Sequence, residues 1–353
     1  MTGPDAQTYG FGMTPRTAHR TAVVAIGGNA LLRGGGHATI AEQFDAARRL
    51  AVPLAALAGT GRRLVITHGN GPQVGFIKRR SDLVADLAPE LPPLDLDMCV
   101  ADSQGSIGYI LASALGGALP AERVTALVTH TLVDPDDPAF ARPTKPIGAF
   151  YPQDVARVLA AEHGWSVAED AGRGWRRVVP SPRPRRVLET EAVRTLSAAG
   201  FTVIAGGGGG IPLVRDADGG LRGVEAVIDK DLTSAWLAGE LGAELLVITT
   251  GVDRVAVDFG RPTQRFLDRL GADEARLLLE AGQFPEGSMG PKIRAALEFL
   301  AGGPGREVLI TSPEGLAAAL GGKGGTRITT EGDTDAAGSG ARPDRRRALH
   351  GGH

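Results

Sequence analysis

The 353-residue chain has one cysteine, Cys99, so no intramolecular disulfide can form, a usage that fits a reducing cytoplasm. No apolar run approaches the ~20 residues that a membrane-spanning helix needs. The apolar stretch 22–32 is interrupted by Gly27-Gly28-Asn29 and is followed by no convincing signal-cleavage site. A formal net charge of -2, with no long basic stripe, argues against a nucleic-acid partner. These absences predict a soluble cytoplasmic protein with neither nucleic acid nor membrane as partner. Several catalytic signatures are missing too. The nearest approach to a Walker sequence, Gly322-Lys323, lacks the upstream glycine and the following Ser or Thr. No GxGxxG follows a strand, no GxSxG elbow occurs, and no Cys/His cluster has metal-ligand spacing. Lysine is scarce: Lys78, Lys145, Lys230, Lys292 and Lys323 are the whole set, arginine supplying most positive charge.

What is present is a set of glycine turns, each following an apolar, strand-like run. Val23-Val24-Ala25-Ile26 runs into Gly27-Gly28-Asn29, and Leu64-Val65-Ile66-Thr67 into His68-Gly69-Asn70-Gly71-Pro72. Phe201-Thr202-Val203-Ile204-Ala205 runs into the five glycines at 206–210. A strand that stops at bare glycines and passes into a helix leaves backbone N–H groups free for a phosphate. Parallel strands end on one sheet edge, so three such turns predict one shared anionic site.

Between these turns, helical patterns at 40–58, 103–119, 191–199, 231–241, 274–281 and 291–301 alternate with strands at 124–129, 245–249 and 307–311. The alternation predicts an α/β protein with a mostly parallel sheet covered on both faces. Residues 134–186 break the rhythm, being dense in proline and carrying Trp165 and Trp175, and read as an inserted subdomain. A hairpin is expected over 213–227, turning at Asp216-Ala217-Asp218-Gly219-Gly220. Segments 1–20 and 331–353 have no hydrophobic period and read as a flexible leader and a disordered tail.

Three lysines occupy suggestive places. Lys145 lies in Pro143-Thr144-Lys145-Pro146-Ile147-Gly148 of the insert, Lys230 lies between Asp229 and Asp231 at a helix start, and Lys292 follows Gly287-Ser288-Met289-Gly290-Pro291. The last two combine a helix N-terminus with an ammonium, which suits phosphoryl oxygens. A solvated surface lysine is the bland alternative for each taken singly. For His68 a packed position at a strand end outweighs a catalytic base. For Arg183, Arg185 and Arg186, salt bridges anchoring the insert stand beside a phosphate clamp. Glu225 and Asp229 read as structural partners of Lys230, and Cys99 as a small buried side chain.

In this order the motifs resemble those of carbamate kinase, a branch of the amino-acid kinase family. The resemblance runs from Ala25-Ile26-Gly27-Gly28-Asn29-Ala30-Leu31-Leu32 through His68-Gly69-Asn70-Gly71-Pro72-Gln73 and Ser103-Gln104-Gly105-Ser106 to Gly223-Val224-Glu225-Ala226-Val227-Ile228-Asp229-Lys230-Asp231 and the Lys292 turn. It spans about 21–330. It implies a three-layer α/β/α sandwich with a small protruding subdomain, a homodimer, and magnesium-dependent phosphoryl exchange between ATP and carbamate. The implied reaction runs towards ATP from ADP and carbamoyl phosphate, as in arginine metabolism or purine breakdown. By the same resemblance Lys230, Lys292, Asp231 and Lys145 are catalytic, the lysines contacting phosphates and Asp231 orienting them. Gly27, Gly28, Asn29, Gly69, Asn70 and Gly71 would cradle carbamate and the transferring phosphoryl. Gly206, Gly207, Gly208, Gly209, Thr250, Met289 and Gly290 would lie against the nucleotide, and no residue is singled out as a metal ligand. Other branches carry a lysine where this chain has Ala25, which favours carbamate over another small carboxylate as acceptor. The retention of Lys230, Asp231 and Lys292 argues against an inactive nucleotide-binding regulator. One departure is Gly251 in Thr249-Thr250-Gly251-Val252-Asp253, where the family more often has an acidic residue.

Overall fold

The computed structural model describes residues 20–32, 39–88, 90–170 and 172–330, with Asn29 described by its backbone alone. The leader expected at 1–20, apart from Arg20, and the tail expected at 331–353 lie outside the described residues.

An eight-stranded sheet forms the centre, in the spatial order Arg269–Gly271, Thr326–Thr329, Glu307–Thr311, Leu245–Thr249, Thr21–Ile26, Arg63–His68, Thr202–Ile204, Val124–Ala126. The six strands from Glu307–Thr311 onward run parallel, and Thr326–Thr329 opposes them. Side chains of the central strands alternate between two cores, as period-two geometry requires. Val23, Ala25, Val65, Leu246 and Ile248 pack into one, while Ala22, Val24, Ile26, Leu64 and Val247 pack into the other. Helices Lys230–Glu240 and Met289–Leu300 cover the first face; Ile40–Gly59 and Leu96–Gly116 cover the second. The fold is therefore a three-layer α/β/α sandwich with a mostly parallel sheet. Helix Ile40–Gly59 is opened by a capping box, Thr39 Oγ1 accepting from the Glu42 N–H and Glu42 Oε2 from the Thr39 N–H. Among the described residues no helix is long and apolar enough to cross a membrane.

Two smaller sheets stand at the C-terminal end of the main one. Lys145–Tyr151, Trp175–Val179 and Ser166–Glu169 form a three-stranded antiparallel sheet, with helix Gln153–His163 packed on it. A four-stranded sheet joins Leu221–Gly223, Ile211–Arg215, His130–Val133 and Pro184–Val187. The strand expected at 124–129 is thus two: it leaves the main sheet after Ala126, and a second strand begins at His130. Thr129 between them is fixed by Gln104, whose Oε1 accepts the Thr129 N–H at 2.8 Å. The 213–227 hairpin closes at Gly223, with Leu213 opposite it, and the rest of that segment descends toward the helix that begins at Lys230.

The three-stranded sheet touches the body through a glycine pair. A Cβ on Gly75, in helix Gly71–Leu87, would lie 2.1 Å from the backbone N of Gly148, itself at φ +72°. Gly75→Ala should therefore destabilise the protein by about 1–3 kcal/mol, the usual range for overpacking. Denaturant unfolding checks this; an unchanged midpoint would show that the two elements separate freely.

Candidate active site

The strands Leu245–Thr249, Thr21–Ile26, Arg63–His68 and Thr202–Ile204 are neighbours and end on the same edge. A cleft of about 440 Å³ opens there. The first two glycine turns meet across its floor. Gly27 N–H donates to Thr249 Oγ1 at 2.9 Å, and Gly69 N–H to the Ile26 carbonyl at 2.9 Å. A Cβ on Gly69 would stand 2.7 Å from the Gly28 nitrogen and 3.2 Å from Lys230 Cδ, so the two backbones can approach only as glycines. Asn70 precedes helix Gly71–Leu87 without capping it through its side chain; its amide instead donates to Ser103 Oγ at 2.8 Å. Gly71 and Pro72 of that helix start line the cleft.

Helices Lys230–Glu240 and Met289–Leu300 pack side by side and bring two lysines to the same place. Asp229 caps the first, its Oδ1 accepting the Asp231 N–H at 2.8 Å, while its Oδ2 accepts from Lys145 Nζ at 2.6 Å. Asp231 lies between the other two ammonium groups: Lys230 Nζ donates to its Oδ1, and Lys292 Nζ donates to its Oδ2 at 3.2 Å. Lys292 also donates to the Ser288 carbonyl at 3.1 Å. Three ammonium groups thus face two carboxylates, and the cluster keeps an excess positive charge beside three helix N-termini.

Burial and neighbouring charge compete to set the proton affinities. Lys230 and Asp231 are 8% and 3% exposed. Desolvation holds Lys230 below an ordinary lysine, Asp231 opposing the shift and Lys292 reinforcing it. Burial alone would raise Asp231 and Asp229, yet the neighbouring ammonium groups outweigh it and hold both below the ordinary carboxylate range. Burial would likewise lower Lys292, but Asp231 and then Asp229 raise it. Both carboxylates are therefore ionised counter-ions at neutral pH, with little affinity for a substrate proton.

His68, 2% exposed, lies at its strand end beneath the floor, its ring against Gly207. Desolvation lowers its pKa to about 4, so it is neutral at pH 7. A histidine ordinarily titrates near 6.5, so between pH 6.5 and 4 the unfolded chain binds a proton that the folded chain refuses. Stability should fall as pH falls through that window, by about 3 kcal/mol for this one group. Urea unfolding between pH 7 and 4 would check this, with His68→Gln flattening the slope; an identical slope would remove His68 as its source.

Of the residues expected here, Gly27, Gly28, Gly69, Asn70, Gly71, Lys145, Lys230, Asp231, Lys292, Gly208 and Thr250 line the cleft. The side chain of Asn29 lies outside the described residues; its backbone belongs to the single 3₁₀ turn Gly28–Leu31. Gly206, Gly207 and Gly209 do not line the cleft. They are buried behind it, where a Cβ on Gly207 would meet His68 Nε2 at 2.5 Å and one on Gly209 the Ile228 carbonyl at 2.6 Å. Met289 packs on the core and Gly290 sits under the Pro285 carbonyl, so Gly287, Ser288 and Pro291 present that turn instead. Glu225 is not a partner of Lys230 but accepts the Leu96 N–H at 2.7 Å. Asp229 pairs with Lys145, a contact across 84 residues that no local pattern announces.

The arginines also sort differently from their sequence order. Arg183 bonds Glu298 at 2.6 Å and Arg185 bonds Asp134 at 3.1 Å, while Arg176 reaches the cleft wall. Arg176 is itself tied to Asp170 Oδ2 at 3.0 Å and the Gly148 carbonyl at 2.9 Å. Thr249, the last residue of its strand, also lines the cleft, as do Pro313 and Glu314, which had no signal in the sequence beyond standing after a strand end. Gly251 lines it too, and a Cβ there would meet nothing within 4 Å.

Residues 20–312 match the amino acid kinase family. The carbamate kinase-like protein YahI of Escherichia coli is 47% identical over 310 residues, 87% of this chain and 98% of that one. The carbamate kinase of Thermococcus kodakarensis is 43% identical over 314 residues, 88% of this chain and 99% of its own. The structure of Giardia lamblia carbamate kinase bound to AMP-PNP superposes with a TM-score of 0.78 at 40% identity, covering 88% of this chain and 99% of that one. The chain belongs to the amino acid kinase family, in the branch that these carbamate kinases define.

Proposed function

We propose that the chain is a carbamate kinase that exchanges a phosphoryl group between ATP and carbamate, running towards ATP from ADP and carbamoyl phosphate. The observation that carries this reading is the Lys230–Asp231–Lys292 cluster beside the Gly27–Gly28 and Gly69–Gly71 backbones, where Asp229 and Asp231 are both held by ammonium groups. Carbamate is already an anion, so its oxygen attacks phosphorus without losing a proton. What remains is to align two anions and to stabilise charge on the transferring group, which lysines and backbone N–H groups do. Lys230 and Lys292 hold the transferring phosphoryl, Asp231 sets their positions, and the two glycine turns hold the carbamoyl end. Lys145 reaches in from the three-stranded sheet, with Asp229 holding it there. Gly208, Thr250 and the Gly287–Ser288 turn are assigned to the nucleotide.

Magnesium fits as a companion of the nucleotide. Among the described residues no group of three His, Cys, Asp or Glu side chains could cage a metal. Mg²⁺ commonly needs only one or two carboxylates plus phosphate oxygens, and Asp229 and Asp231 are the acids nearest the cluster. When bound, it neutralises charge on the nucleotide phosphates. A homodimer is part of this reading, supported by Met98 and Tyr109, 51% and 64% exposed on helix Leu96–Gly116. A cytoplasmic site of action is proposed as well, supported by the lone buried thiol of Cys99, which burial pushes up to about 12 and leaves inert.

The test is ATP formation from ADP and carbamoyl phosphate by the purified chain with Mg²⁺. Turnover abolished by EDTA is the expected result; no ATP from folded protein overturns the assignment.

A further inference from the structure

A second cleft, of about 670 Å³, lies at the edge of the main sheet and shares no lining residue with the first. Its wall is basic. Arg269 and Arg327 are direct register partners on parallel strands, so their side chains emerge on one face. Like charges placed directly opposite each other destabilise a sheet, and the arrangement persists here beside Arg254 and Lys323. Arg254 bonds Asp268 at 2.8 Å and Arg327 bonds Glu307, whereas Lys323 makes no ion pair among the described residues.

Two further observations point into this cleft. Lys323 is flanked by left-handed glycines, Gly322 at φ +82°, Gly324 at +82° and Gly325 at +71°. The N–H groups of Gly322 and Lys323 close turns on Ala319 and Ala318, but those of Gly324 and Gly325 reach no acceptor among the described residues. Successive N–H groups in such a turn form a concavity suited to an anion. In addition Thr311, fully buried in the cleft wall, has a hydroxyl with no hydrogen-bond partner. The proximity of Arg269 also helps burial to depress the pKa of Arg327, as expected where two guanidinium groups share one wall.

We propose that this cleft, built on Lys323, Arg254, Arg269, Arg327 and the Gly324–Gly325 backbone, is a second binding site for a small phosphorylated anion of the pyrophosphate class. Guanidinium forks and an ammonium match phosphoryl oxygens, and the glycine turn supplies uncharged donors between them. The site is assigned to binding alone. The inference is independent of the reaction assigned to the first cleft.

Calorimetric titration of the full chain with inorganic pyrophosphate tests it. The wild-type chain should bind at least one equivalent that depends on Lys323, and a second if the first cleft takes the probe as well. Lys323→Glu, at an exposed position outside the first cleft, should weaken the Lys323-dependent one about 10- to 100-fold. The variant's ATP-forming turnover without pyrophosphate should equal that of wild type. Isotherms identical for wild type and Lys323→Glu overturn the proposal, whatever the first cleft binds.

Discussion

Lys292→Ala should lower the turnover number about a hundred- to a thousandfold, while Lys323→Ala leaves it unchanged. Lys292 is one of two ammonium groups sharing Asp231, and it is the one whose pKa stays raised. Its positive charge is therefore constant across the working pH range. Removing a preorganised donor aimed at developing charge typically costs a factor of that size. Helix Met289–Leu300 would still form, because the Lys292 ammonium hydrogen-bonds only Asp231 and the Ser288 carbonyl among the described residues. The loss should fall on kcat more than on KM, the pattern expected when an interaction is made chiefly in the transition state. Steady-state kinetics of the two variants decides the matter. Equal losses would show that scarcity of lysine, rather than position, had been mistaken for function.

Asp231→Asn should have the other large effect, on stability and on pH dependence together. The carboxylate is buried and counters two ammonium groups, so the amide leaves Lys230 desolvated and uncompensated. Breaking one side of a buried ion pair typically costs about 3–5 kcal/mol. Lys230 escapes part of that cost by giving up its proton. It already lies below an ordinary lysine because burial disfavours its charge, with Asp231 the main opposing influence. Without Asp231 its pKa falls further. The sign follows: activity requires protonated Lys230, so the alkaline limb of the rate profile should move to lower pH in Asp231→Asn. A pH profile of kcat/KM, alongside denaturant unfolding, reads both effects. A variant as stable as wild type with an unmoved alkaline limb would mean that Asp231 does not hold these lysines.

How much of this was legible beforehand depends on the range of the interactions. The sheet's parallel core was readable because Thr21–Ile26, Arg63–His68 and Leu245–Thr249 are each a short apolar run stopped by glycine or threonine. The Gly27–Gly28 and Gly69–Gly71 turns were readable for the same reason, and both line the cleft. The five glycines at 206–210 looked equally suited to phosphate, yet four of them lie off the cleft. Composition says that backbone comes close to something; it does not say whether that is a ligand or, as for Gly207 and Gly209, His68 and Ile228. The same limit explains Arg176, whose place at the cleft depends on how the strand Trp175–Val179 meets the Gly148 carbonyl. The contact of Lys145 with Asp229 needed two segments 84 residues apart to be folded together.

The central claim is that this lysine-and-glycine site serves an acceptor that needs no base, namely carbamate. The most direct measurement compares kcat/KM for ATP formation from ADP with carbamoyl phosphate, acetyl phosphate and N-acetylglutamyl phosphate at one pH and one Mg²⁺ concentration. Carbamoyl phosphate should be preferred by about a hundredfold or more, the discrimination expected of a site fitted to the carbamoyl amino group rather than to a methyl group or a longer chain. Equal use of acetyl phosphate, or a preference for the acetylglutamyl compound, would contradict the assignment.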